Sequence, residues 1–182
     1  MNAGAYLVDA IRGFQNYKTL GDEAMAQVPG DADFDRMLDA DSNSIAVIVQ
    51  HIAGNFQSRY RDFLTTDGEK PDRDRDREFE AHGSSTRERV LREWNDGWEV
   101  ALAALHALTP GDLDKTITIR GEAFLVLEAL NRSVTHTAYH VGQIVYLARH
   151  FASPNWRSLS IPKGKSAEFF GAGNFKARGT AR

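Results

Sequence analysis

The chain has 182 residues, no cysteine and a formal net charge of −3. At this length a single domain can bury roughly 70% of its unfolded surface and needs no covalent staples. Without cysteine there are no disulfides, thiolate nucleophiles, zinc ribbons or iron–sulfur clusters, and the mildly acidic balance gives no bulk affinity for nucleic acid.

One domain over residues 1–182 is therefore expected, all-α, with an irregular tail from about residue 152. Residues 1–9 lack a basic region followed by an apolar run. No apolar stretch reaches the ~18 residues of a membrane span. The expectation is a cytoplasmic chain with no membrane partner.

Residues 4–28 predict a first helix, striped by Leu7, Ile11, Phe14, Tyr17, Ala24 and Val28 and ended by Pro29-Gly30. Residues 31–43 read as an acidic loop with one short helical turn around 34–38. A second helix begins at Ser42 or Ser44, either of which can cap it. Its stripe is Ile45, Ile48, Ile52, Phe56 and Phe63. His51 lies beside that stripe, and Asn55 and Arg59 follow it on the same side. Asp67-Gly68 marks the turn after this helix.

Residues 69–80 alternate in charge and read as a solvated loop. The connection to the third helix is roughly 20 residues, longer than the usual bundle loop, and such a loop tends to cover something. Ser85-Thr86-Arg87-Glu88 predicts a capping box with Ser85 as the cap. Val90, Trp94, Trp98, Ala101, Leu105 and Leu108 stripe the third helix, and Thr109-Pro110-Gly111 stops it. Thr116-Ile117-Thr118-Ile119 alternates and is β-branched throughout, so it predicts an extended segment or a small hairpin turning at Arg120-Gly121-Glu122.

A fourth helix spans 125–151. Leu127, Leu130, Val134, Thr137, Val141, Ile144 and Ala148 repeat at alternating steps of three and four, the buried seam of a bundle helix. His136, His140 and Gln143 run alongside. Four residues apart on a helix places two imidazoles one above the other, able to reach one ion. Alone, that pair is as consistent with two core histidines as with a metal site. His51, on a different helix and also beside its stripe, tips the reading to a metal site of His51, His136 and His140.

Of the other histidines, His82 falls in the charged loop, His106 beside a stripe, and His150 at a helix C-terminus, where the dipole favours it. Three imidazoles that leave positions open are the catalytic pattern for zinc. Nickel, iron and copper also accept imidazole. Asn55, Arg59, Arg132 and Gln143 are candidates to orient the rings or hold an anionic substrate. Pro162-Lys163-Gly164-Lys165-Ser166 ends like a phosphate loop, but it lacks a glycine at Leu159 and a preceding strand, so no nucleotide site is expected. From Arg157 onward six Lys/Arg stand against one Glu; a nucleic-acid role for this tail is a distant reading.

Several blocks carry a resemblance. Asn43-Ser44-Ile45-Ala46, His51-Ile52-Ala53-Gly54-Asn55, the run from Asp62 to Pro71, Ile117-Thr118-Ile119-Arg120-Gly121-Glu122, His136-Thr137-Ala138-Tyr139-His140-Val141-Gly142-Gln143-Ile144 and Leu159-Ser160-Ile161-Pro162-Lys163-Gly164-Lys165-Ser166 resemble the DUF1572 family of the DinB/YfiT-like superfamily. The resemblance covers roughly 40–170. It implies a DinB-like four-helix bundle with a metal triad at His51, His136 and His140, a divalent ion (zinc or nickel first), and a homodimer. It also implies an enzyme class that includes transferases and an isomerase using low-molecular-weight thiols. The leading expectation is a metal-dependent S-transferase whose thiol comes from a cofactor. A non-catalytic, structural or stress-associated metal-binding bundle is the alternative, and a metal-dependent hydrolase the second alternative.

Overall fold

A computed structural model describes residues 2–81 and 83–169. Four long helices form the bundle: α1 (Ala3–Met25), α3 (Ile45–Tyr60), α4 (Arg87–Ala107) and α5 (Val126–Ala152). Short helices α2 (Ala32–Asp35) and α6 (Ser166–Phe169) and two 3-10 turns lie between and after them. His82 and the end of the basic tail lie outside the described residues. Among the described residues, no helix is long and apolar enough to cross a membrane.

Each helix start has a local chemical cause. Ser44 Oγ accepts from Val47 N–H at the head of α3, and Asn2 Oδ1 does the same for Ala5 at the head of α1. At α4 the cap is Thr86, one residue later than expected, accepting from Arg89 N–H. Ser85 is otherwise engaged: it is buried, and its N–H donates to Asp35 Oδ2 at 2.6 Å, tying the loop to α2. Glu128 folds back to accept from Leu125 N–H at the head of α5.

The core runs along the bundle axis. α3 packs most closely on α4, and α1 on α5. Phe14, Phe56, Trp94 and Trp98 are essentially fully buried. They meet mostly edge to face, the arrangement ring quadrupoles favour; the Phe56 and Trp98 centroids are 4.9 Å apart at 74°. Along the α5 seam Leu130, Thr137, Val141, Ile144 and Ala148 are buried, while Leu127 and Val134 are half-buried towards the hairpin end.

β1 (Thr116–Ile119) and β2 (Glu122–Leu125) form an antiparallel hairpin with Ile119 opposite Glu122. Its two-residue turn, Arg120-Gly121, has φ of 56° and 76°. Both values are positive, as a type I′ turn demands; glycine supplies one freely. Asp67 holds this turn from the α3–α4 connection, its carboxylate accepting from the N–H groups of Glu69, Arg120 and Gly121. The Glu69 and Gly121 amides lead the effects holding this carboxyl well below the usual range. Gly68 N–H donates to Thr118 O at 2.8 Å, so the connection and the hairpin form one rim beside α3 and α5.

Candidate metal centre

α3 presents His51 and α5 presents His136 and His140 to a common point between the two helices. One ligand nitrogen from each ring lies within 4.8 Å of the others. The Nε2 atoms of His51 and His136 are 3.2 Å apart. Three imidazole nitrogens on one tetrahedral zinc, each at about 2.0–2.1 Å, sit roughly 3.3 Å from one another. His140 Nε2 is buried and has no hydrogen-bond partner among the described residues. A buried ring nitrogen without a partner is a costly arrangement unless something else occupies its lone pair.

Hydrogen bonds on the far side of two rings fix which nitrogen faces the centre. His51 Nδ1 lies 2.8 Å from Glu78 Oε2. An ionised carboxylate can only accept, so His51 Nδ1 carries the proton, and the Nε2 of a ring so protonated offers a lone pair inward. His140 Nδ1 lies 2.8 Å from Gln143 Oε1, and the same reasoning leaves its Nε2 bare. The donor set and its orientation therefore fit a divalent ion.

Glu78 belongs to the alternating charge run, and the structure corrects the expectation that this run is simply solvated. Its side chain is 8% exposed and Arg73's is 4%. Arg73 donates from Nε to Glu78 Oε1 at 2.7 Å and from Nη2 to Oε2 at 2.8 Å. Arg73 also pairs with Glu69, and Glu69 with Arg120. Burial opposes ionisation of Glu78, but the bonds from His51 and Arg73 outweigh it and hold the carboxyl below its ordinary range. Phe79, the one aromatic in the run, lies 4.7 Å from the His51 ring. The loop can come this close because position 54 is glycine: a methyl there would overlap the Glu78 carboxylate. Both carboxylate oxygens are taken, so Glu78 positions His51 and is not a free general base.

Above the histidines opens a cavity of about 450 Å³. Asn55, Arg59, Arg132 and Gln143, singled out from the sequence, all stand on its wall, joined by Arg73 and Arg120. Asn55 and Arg59 are buried; Arg132 and Gln143 reach it from an exposed flank of α5. Tyr139 packs its ring 4.0 Å from that of His140. His106 is remote, against Gln15 on the α1–α4 surface, and His150 sits exposed in the last turn of α5.

Burial lowers the two α5 imidazoles. His136 falls to about 3, with further lowering from His140 and His51; His140 falls to about 4, its bond to Gln143 partly opposing the shift. An unfolded imidazole titrates near 6.5. Between that value and about 4, the unfolded chain carries protons the folded chain lacks. Stability of the metal-free chain is therefore complete above about 6.5 and falls as pH drops through that window. Melting the metal-free protein at pH 7.5 and pH 5 should show the lower temperature at pH 5. A double change His136→Asn, His140→Asn should flatten the difference, and an already flat wild-type profile would contradict the assignment.

A helical bundle holding a three-histidine cluster at the floor of an arginine-walled pocket is the class of protein that fold and site define. Residues 2–165 match the family described as "Protein of unknown function (DUF1572)", and the chain belongs to that family. No curated protein and no solved structure matches it.

Proposed function

We propose that this chain is a DinB-like, metal-dependent enzyme in which His51, His136 and His140 hold a divalent ion. Its reaction is S-transfer between a low-molecular-weight thiol and a small molecule in the pocket above. The observation that carries the reading is the buried, unpartnered Nε2 of His140 facing the same point as the Nε2 atoms of His51 and His136. A bound divalent ion would supply Lewis acidity, favouring the ionised form of a thiol that reaches it.

The chain's own residues orient the rest. Glu78 and Gln143 hold their histidines in the tautomer that points Nε2 inward. Phe79 and Tyr139 place their rings against those of His51 and His140. A thiol reaction needs no separate protein base once the thiol is ionised. A hydrolase would need a base, and the carboxylate beside the triad is already committed to Arg73 and His51.

Metal analysis by mass spectrometry of untagged protein, beside His136→Ala and His140→Ala, tests the site. Roughly one ion per wild-type chain is expected, with loss in both variants. In cobalt-substituted protein, 2-mercaptoethanol should then produce a new near-ultraviolet sulfur-to-metal band. An ion that raises the melting temperature while thiol leaves the spectrum unchanged would favour a non-catalytic metal-binding bundle. No ion after reconstitution would end the enzyme reading.

A further inference from the structure

Charge on the pocket wall is unbalanced in a way the histidine site does not use. Among the described residues lining the cavity, five are arginines (Arg59, Arg73, Arg75, Arg120 and Arg132) and none is Asp or Glu. Arg73 is committed to Glu69 and Glu78, and Arg120 to Glu69. Arg75 lies over the Phe79 ring. The side chains of Arg59 and Arg132 have no hydrogen-bond or ion-pair partner among the described residues.

Arg59 is the unusual one. It is 9% exposed, and its Nη1 is buried with no partner. A guanidinium has five donors and cannot lose its charge, so an unpaired one inside a fold is costly. Burial is the largest effect against its charge; Tyr60 and Glu69 favour the charge, Arg73 and Arg132 oppose it, and Glu69 is already shared by two other arginines. Its Cδ and Nη1 pack beside Gly68, so closely that a Cβ at that position would stand 3.1 and 3.2 Å from them, where the rim meets α3. A polar or acidic neighbour there would have relieved it. The fold instead keeps a buried cation facing a cavity.

We propose that Arg59 and Arg132 form the binding site for an oxyanion, a carboxylate or a phosphate, carried by the small molecule that occupies this pocket. The proposal rests on the pocket being the substrate site and gives that substrate its chemical class. The forked donors of two arginines suit two oxygens of one planar or tetrahedral anion. The cavity volume falls in the range of small-molecule sites, and a net charge of −3 argues against a polyanion. Anchored on Arg59 and Arg132, such a molecule extends its uncharged part towards the histidine nitrogens on the same wall.

Titration calorimetry with succinate, inorganic phosphate and the neutral analogue succinamide tests this on protein as isolated, with the metal content of each sample measured. One anion is expected to bind at a single site, at least ten-fold more tightly than succinamide. Which of the two binds identifies the group. Arg59→Gln and the exposed-site change Arg132→Ala should each weaken that binding ten-fold or more, without changing metal content. Equal affinity for the amide, unchanged binding in Arg132→Ala, or loss of metal in Arg59→Gln would each overturn the proposal, the last by giving Arg59 a structural role. Anion binding by a chain that takes up no metal would uphold the proposal while removing the metal-dependent reading.

Discussion

Glu78→Ala should lower unfolding free energy by about 3–5 kcal/mol and weaken metal retention by roughly 10–100-fold. The first effect comes from Arg73. Its side chain is 4% exposed, and removing Glu78 strips away two of its charge-assisted bonds, leaving Glu69 alone to offset a buried guanidinium. The second comes from His51, which loses the acceptor that fixes its tautomer. Glu78→Gln separates the two. It keeps the volume, but its amide N–H₂ meets a donor on whichever side it faces, Arg73 or His51. It should therefore remain clearly destabilising, with metal affinity falling least in the rotamer that still accepts from His51. Urea unfolding of metal-free and metal-loaded protein measures both effects. A Glu78→Ala protein as stable and as metal-rich as wild type would show that the loop does not support the site.

Trp98→Ala is the second large effect, about 3–5 kcal/mol from lost burial and a residual cavity. For a chain of this length that corresponds to a fall of roughly 6–20 °C in melting temperature. Trp98 is fully buried and meets Phe14, Phe56 and Trp94 ring to ring. Its indole Nε1, however, has no partner among the described residues. Trp98→Phe should cost much less than Trp98→Ala, because it leaves a smaller void and also removes an unsatisfied buried donor. If both variants lose the same stability by urea titration, the indole N–H is satisfied in solution and its removal brings no relief.

The bundle was legible in the chain because apolar spacing is a local signal. The stripes of Val90–Leu108 and of the α5 seam follow helical periodicity, and β-branched alternation marked the hairpin strand. The same logic placed His51, His136 and His140 beside two stripes, and the fold brings all three to one point. The second layer was not legible. Arg73 and Glu78 stand in a run where every charge looks fit for water, and only mutual pairing against Gly54 allows their burial. Two signals were present: the length of the connection, and Phe79 as the single aromatic within it. The cap of α4 shifted from Ser85 to Thr86 for a similar reason, since the Ser85 N–H that Glu88 would accept from in a capping box is already donated to Asp35. Arg59 was visible as a residue near His51, but its lack of a partner is a property of the packed rim alone.

His51 and His136 are separated by 85 residues of chain. In an unfolded polymer, bringing two such points together costs about 4 kcal/mol of closure entropy. Folding of the bundle bears that cost before any ion arrives, so an ion entering the folded chain meets a chelate ring already closed. An unfolded chain carrying all three histidines would have to close that ring as it bound. Its affinity for zinc should trail that of the folded protein by a factor on the order of a thousand.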